Sequence, residues 1–80
     1  MNDQQLFAAV RALPHMTITK SEGEYRVAPH LGSIRAAWPH WYLKQHKEYA
    51  ERVSYYTQDR DDALGTAKVL SEKIASLFAA

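Results

Sequence analysis

The chain has no cysteine. That removes a disulfide framework, a thiolate nucleophile and any cysteine-based zinc site, and it fits a reducing compartment. Glycine is scarce, three residues in 80, too few to build a phosphate-cradling loop and serve the turns as well. The GxSxG elbow, the phosphate loop and the Rossmann fingerprint are all missing. No apolar run approaches the roughly 18 residues that a membrane span needs. The opening MNDQQLFAAVRALPH also lacks the basic start and continuous apolar core of a secretory signal. A cytoplasmic location without a membrane partner is the expectation. Charge of one sign is lacking too: ten Lys and Arg against nine Asp and Glu leave a net +1. That total is too weak for strong non-specific nucleic-acid binding, which relies on many phosphate contacts.

What is present is an ordinary globular composition, 46% hydrophobic and 24% charged, which argues against disorder. Eighty residues allow a single domain, residues 1–80, with one modest core and thin stability. The clearest element is the stretch from Asp59 to Phe78. Asp59 is placed to cap a helix, with Asp62 three residues later in a capping-box relation. Ala63, Ala67, Leu70, Ile74 and Leu77 then recur on one face, and Leu64 and Phe78 widen the stripe. Asp59, Asp61 and Asp62 at the start, with Lys68 and Lys73 further on, suit the helix dipole. Such a helix would be about 30 Å long, enough to cross a small domain.

Earlier in the chain, Asn2 or Asp3 can cap a short helix running to about Leu13, with Leu6, Phe7, Val10 and Leu13 as its stripe and Pro14 as its end. Met16 to Lys20 and Glu24 to Ala28 alternate apolar and polar residues around Ser21-Glu22-Gly23, the pattern of a β-hairpin. Tyr25 and Val27 are expected on the face that meets the helices. Leu31 to Tyr49 has no clean period: Ser33 to Trp38 fits a strand or one helical turn, and Trp41 to Tyr49 a short helix. Glu51 to Thr57 reads as a third strand. The predicted fold is α+β, an antiparallel sheet of three or four strands packed on one face against the long C-terminal helix and a short N-terminal one.

The joint Tyr55-Tyr56-Thr57-Gln58-Asp59-Arg60-Asp61-Asp62-Ala63-Leu64-Gly65-Thr66-Ala67 resembles a stretch of short accessory proteins of phages and plasmids. In that group a hairpin like Thr17 to Val27 precedes a Tyr-Tyr-Thr strand end, an acidic cap and a helix. The resemblance leaves out Leu31 to Tyr49. It implies an accessory role in a mobile element and transfers no catalytic motif. Anti-CRISPR and anti-restriction proteins of this size act by plugging a surface of a host defence complex, and that role enters by analogy alone.

Three features carry candidate chemistry. Six of the nine aromatic residues lie between Trp38 and Tyr56, interleaved with Lys44, Lys47, His40 and His46. Tryptophan and tyrosine dominate interface hot spots because they bury large area with few torsions to freeze. The same interleaving suits single-stranded bases beside phosphates, and the tryptophans serve equally well as core filling. The acidic turn Gln58 to Asp62 lacks the spaced ligands of a calcium loop, and capping accounts for Asp59 and Asp62, leaving Asp61 without a structural reason. His15, His30, His40 and His46 match no zinc-ligand spacing. Gly65, costing about 1 kcal/mol relative to alanine inside a helix, marks either a close approach or a tolerated surface position. The expectation is a non-catalytic binding protein with no cofactor and no metal. Its partner would be a host protein or ribonucleoprotein complex, met through Trp38, Trp41, Tyr42, Lys44 and Lys47, with Tyr56 and Asp61 added. A nucleic-acid partner and a homodimer are the alternatives.

Overall fold

The computed structural model describes residues 1–78. Helix α1 spans Asp3–Arg11. Asn2 opens it, its side chain accepting from the Gln5 N–H at 2.8 Å while the Gln5 side chain accepts from the Asn2 N–H at 2.9 Å. This reciprocal cap satisfies two donors that a helix start leaves free. Strands β1 (Met16–Ser21) and β2 (Glu24–Pro29) form the expected hairpin. Its loop has Glu22 at φ 52° and Gly23 at φ 81°, the paired positive values that match the twist of a two-residue hairpin. Then follow α2 (Leu31–Ala37), α3 (Leu43–Arg52), β3 (Tyr55–Thr57) and α4 (Arg60–Ala75), and a short 3-10 turn, Ser76–Phe78.

The sheet is antiparallel in the order β1-β2-β3, with Val27 opposite Tyr55 and Arg26 opposite Tyr56. Tyr25 and Val27 point to the face covered by α1 and α4. There Leu6, Val10, Met16, Ile18, Ala63 and Ala67 join them in the main core. The fold is therefore α+β, with the two expected helices and three strands. Two further helices occupy the stretch that has no readable period. The arrangement departs from a one-faced sheet: Arg26 points to the opposite face and meets Glu51 of α3.

Three sequence expectations need correcting. Glu51 and Arg52 finish α3 rather than start a strand, so the third strand is only Tyr55–Thr57. The helix expected to reach Phe78 stops at Ala75, and Leu77 and Phe78 stay 38% and 44% exposed instead of extending the buried stripe. Asp59 does cap α4, accepting the Asp62 N–H at 3.0 Å. The Asp62 carboxylate, however, takes the Tyr55 hydroxyl at 2.6 Å and leaves the box open. Thr57 fills that role, its Oγ1 accepting the Asp59 N–H at 3.1 Å. Lower on α4, buried Ser71 donates to the Pro14 carbonyl at 2.7 Å, which fastens the helix to the turn after α1.

One carboxylate ties four elements together. Asp3 of α1 accepts from Lys20 of β1 at 2.6 Å, from the Tyr25 hydroxyl of β2, and from Arg60 of α4 at 2.8 Å. These bonds, from Lys20 first, then Tyr25 and Arg60, hold its carboxyl well below the usual carboxylate range. Native Asp3 thus gives up its proton more readily than the unfolded chain does. The stability that difference confers is complete above the ordinary carboxylate pKa and drains away as pH falls below about 4. Thermal unfolding followed from neutral to strongly acid pH is expected to show the Asp3→Asn protein with a lower midpoint at neutral pH and a flatter acid limb than wild type. Parallel curves would show that the cluster is not formed in solution.

Gly65 lies on the solvent side of α4, and a methyl group built there meets nothing within 4 Å. The helix makes no close approach to the Tyr55-Tyr56 strand at this glycine. Gly65→Ala is expected to stabilise the protein by about 0.5–1 kcal/mol in denaturant unfolding, from backbone entropy alone. A loss of stability would contradict the open surface seen here.

Candidate functional site

Leu31–Arg52 builds a small helical unit with an aromatic core of its own. Leu31 starts α2 after His30, whose Nδ1 accepts the Gly32 N–H at 3.1 Å as an end cap. Trp38 closes α2, and Pro39 prevents the helix from continuing. The turn that follows brings Trp41 back onto Trp38: the rings stack with centroids 4.4 Å apart and 5° between their planes. Tyr49, two turns along α3, meets Trp38 edge-on at 4.8 Å and Trp41 at 6.1 Å. Aromatic contacts of this kind are worth about 0.5–1.5 kcal/mol each beyond the area they bury. Ile34 and Ala50 are buried in the same unit.

His46 locks the unit from inside. It is 4% exposed, and its Nε2 lies 2.7 Å from the Trp38 carbonyl oxygen. A carbonyl only accepts, so Nε2 carries a proton and donates it to that oxygen. Its Nδ1 is the one buried side-chain polar atom without a hydrogen-bond partner among the described residues.

The unit is fixed to the outer sheet face by polar ties. Glu51 accepts from Arg26 at 2.8 Å and from the Tyr56 hydroxyl at 2.6 Å, and Arg26 Nε reaches the same hydroxyl at 3.3 Å. The Tyr56 hydroxyl first, and Arg26 second, hold the Glu51 carboxyl below its ordinary value. Below α3 the Ser54 hydroxyl donates to the Ala50 carbonyl at 2.6 Å and turns the chain toward β3.

The seven residues singled out in the sequence fall into four settings. Trp38 and Trp41 are half-buried against each other and frame α2 and α3. Tyr42, Lys44 and Lys47 are exposed at the start and along the outer side of α3, with Tyr42 at 81%. Tyr56 keeps an exposed ring but commits its hydroxyl to Glu51. Asp61 is exposed in the first turn of α4, in a depression shared with Met1, Gln58, Asp59 and Arg60, and does not join the others. Leu43 belongs to the surface and was not foreseen: it is 47% exposed beside Tyr42 and lines a depression on α3 with Lys44, Lys47, Glu48 and Glu51. Its spacing to Lys47 would have signalled this once the helix register was known. Nothing local in the sequence pairs Glu51 with Arg26.

Among the described residues no group of three or more His, Asp or Glu is placed to hold a metal ion, and no helix is long and apolar enough to cross a membrane. No protein-family model, curated protein or solved structure matches the chain.

Because the tryptophans support the unit, Trp41→Ala is expected to loosen α2 and α3 by about 1–3 kcal/mol while the hairpin and α4 stay folded. Amide hydrogen exchange residue by residue checks this: faster exchange confined to 31–52 is the expected result. Unchanged exchange there would free Trp41 from a structural role.

Proposed function

We propose that the protein is a non-catalytic protein-binding module whose contact surface is the outer side of α3, led by Tyr42. The observation that carries this reading is Tyr42 itself, 81% exposed next to half-exposed Leu43 on a helix braced from behind by stacked tryptophans. An exposed aromatic on a rigid support loses little conformational freedom on binding, the property of interface hot spots. Lys44 and Lys47 flank it and suit a partner surface bearing carboxylates. Lys44 has one loose tie, to Glu48 at 3.9 Å with both side chains mostly exposed, worth little on a surface.

The resemblance of Tyr55 to Ala67 to accessory proteins of phages and plasmids supports a role in a mobile element, acting on a host complex from the cytoplasm. An anti-CRISPR or anti-restriction activity is one form of that role. A nucleic-acid reading of the same surface is less well supported, because Glu48 and Glu51 share the helix side with the lysines and offset their attraction for phosphate.

Capture from a host lysate with the wild-type chain and a Tyr42→Ala, Lys44→Ala, Lys47→Ala variant, with and without nuclease, tests the reading. The tryptophans stay intact, so the variant keeps its fold. A protein that survives nuclease and falls by about tenfold or more with the variant is the expected outcome. A catch that disappears with nuclease would move the surface to nucleic acid, and a catch indifferent to the variant would move the interface elsewhere.

A further inference from the structure

Two shallow hollows flank Lys47 on the outer side of α3. The first, of about 470 Å³, is lined by Leu43, Lys44, Lys47, Glu48 and Glu51. The second, of about 440 Å³, is formed between α3, the start of α2 and the hairpin, and includes Thr17, Pro29, Leu31 and Ala50. Lys47 and Glu51 line both, so the hollows meet along that pair. Leu43 gives the first an aliphatic wall, and Pro29, Leu31 and Ala50 give one to the second. The methylene stem of Lys47 adds to each. Leu43 also joins the first hollow to exposed Tyr42, its neighbour in the chain.

A diverted partner sets the charge between the hollows. Lys47 and Glu51 stand one helical turn apart, a spacing at which lysine and glutamate can pair. Glu51 is used elsewhere: its Oε2 accepts from Arg26 at 2.8 Å and its Oε1 from the Tyr56 hydroxyl at 2.6 Å. Lys47 is left exposed, and its ammonium has no ion-pair partner among the described residues. Arg26, Lys44 and Lys47 against Glu48 and Glu51 leave the two hollows one positive charge in excess. Arg26 neutralises Glu51 and Lys44 lies 3.9 Å from Glu48, so the excess sits at Lys47. A single excess charge beside two carboxylates suits one carboxylate. A phosphate group or a nucleic-acid strand brings more negative charge, which Glu48 and Glu51 would repel.

An apolar group for each hollow and an anion between them must come from one scaffold. An extended peptide provides this, because alternate side chains face the same way about 7 Å apart. We propose that the hollows on α3 bind an acidic segment of a partner protein, in which a glutamate or aspartate has an apolar residue two positions before it and another two positions after. The carboxylate meets the Lys47 ammonium, and the apolar side chains enter the hollows. The inference rests on the docking reading for the partner's being a protein, and adds which residue of α3 selects it. The ion pair contributes selectivity more than affinity, since both groups stay near water.

The test titrates the ¹⁵N-labelled chain with acetyl-Leu-Ser-Glu-Ser-Leu-amide. Saturable shifts at the Leu31, Leu43, Lys47 and Ala50 amides are expected. The peptide with glutamine in place of glutamate should bind about threefold more weakly, and one with glycine for either leucine about tenfold. Reversing the charge gives the sharpest comparison. Lys47→Glu, at an exposed position, should weaken the glutamate peptide and come to prefer the same peptide carrying lysine instead. Lys68→Glu, exposed on α4 at the other side of the sheet, changes the net charge equally and should leave the wild-type preference intact. No saturable shift at the hollows, equal binding of the glutamine peptide, or the same reversal with Lys68→Glu overturns the proposal. A protein captured from lysate through Tyr42 while the peptide fails to bind would overturn this proposal and keep the docking reading, so the two fail separately.

Discussion

Strand β2 lies between the other two strands, and its alternation decides what each sheet face can be. Tyr25 and Val27 fall on one side and reach Leu6, Ile18, Ala63 and Ala67, so this side takes α1 and α4 and most of the large apolar side chains. Arg26 and Ala28 fall on the other. A chain of 80 residues has too little apolar surface to build a second core of the same kind there. The outer face is closed differently, by a charge-assisted tie from Arg26 to Glu51 and by the tyrosine hydroxyl between them. The ties fix direction more than they add stability, since Glu51 is largely exposed and surface ion pairs contribute little.

That division explains why the aromatic segment forms a unit of its own. Helices α2 and α3 are each too short to be stable alone, and the outer face offers them little apolar bed beyond the buried Ala28. They are held instead by Trp38, Trp41 and Tyr49, which pack on one another, and by His46, which fastens the end of α2 through the Trp38 carbonyl. Large rings are efficient at this because a few of them bury much area with few torsions. The cost is that none of these rings is free to be the tip of an interface. Their neighbours Tyr42 and Leu43 carry the exposed apolar surface, standing one residue beyond the stack.

The legible parts of the sequence were those whose information is local. The hairpin followed from alternation and Gly23, α1 from its cap and Pro14, α4 from its stripe and Asp59. What escaped was set by contacts across the chain. The run Glu51 to Thr57 alternates like a strand, yet its first residues are drawn into α3 because Glu51 bonds Arg26, 25 positions away. Asp62 has the spacing of a capping-box partner, but the Tyr55 hydroxyl competes for it from the adjoining strand. The segment from Leu31 to Tyr49 lacks a period because it covers no shared core: its apolar groups face one another across a turn at Pro39. The crowding of aromatics was visible in the sequence, and which of them stack and which project was not.

The same reasoning bears on His46. A leucine or phenylalanine at this position would fill the interior of the α2–α3 unit without leaving a polar atom unpaired, though neither would reach the Trp38 carbonyl that ends α2. Histidine therefore has a structural reason for its Nε2 and none for its Nδ1. In a domain whose total stability is small, an unpaired buried polar atom costing about 1–3 kcal/mol is a substantial fraction to forgo. Asparagine or glutamine could donate to the same carbonyl and would also leave polar groups to be satisfied, so the fold alone does not select the ring.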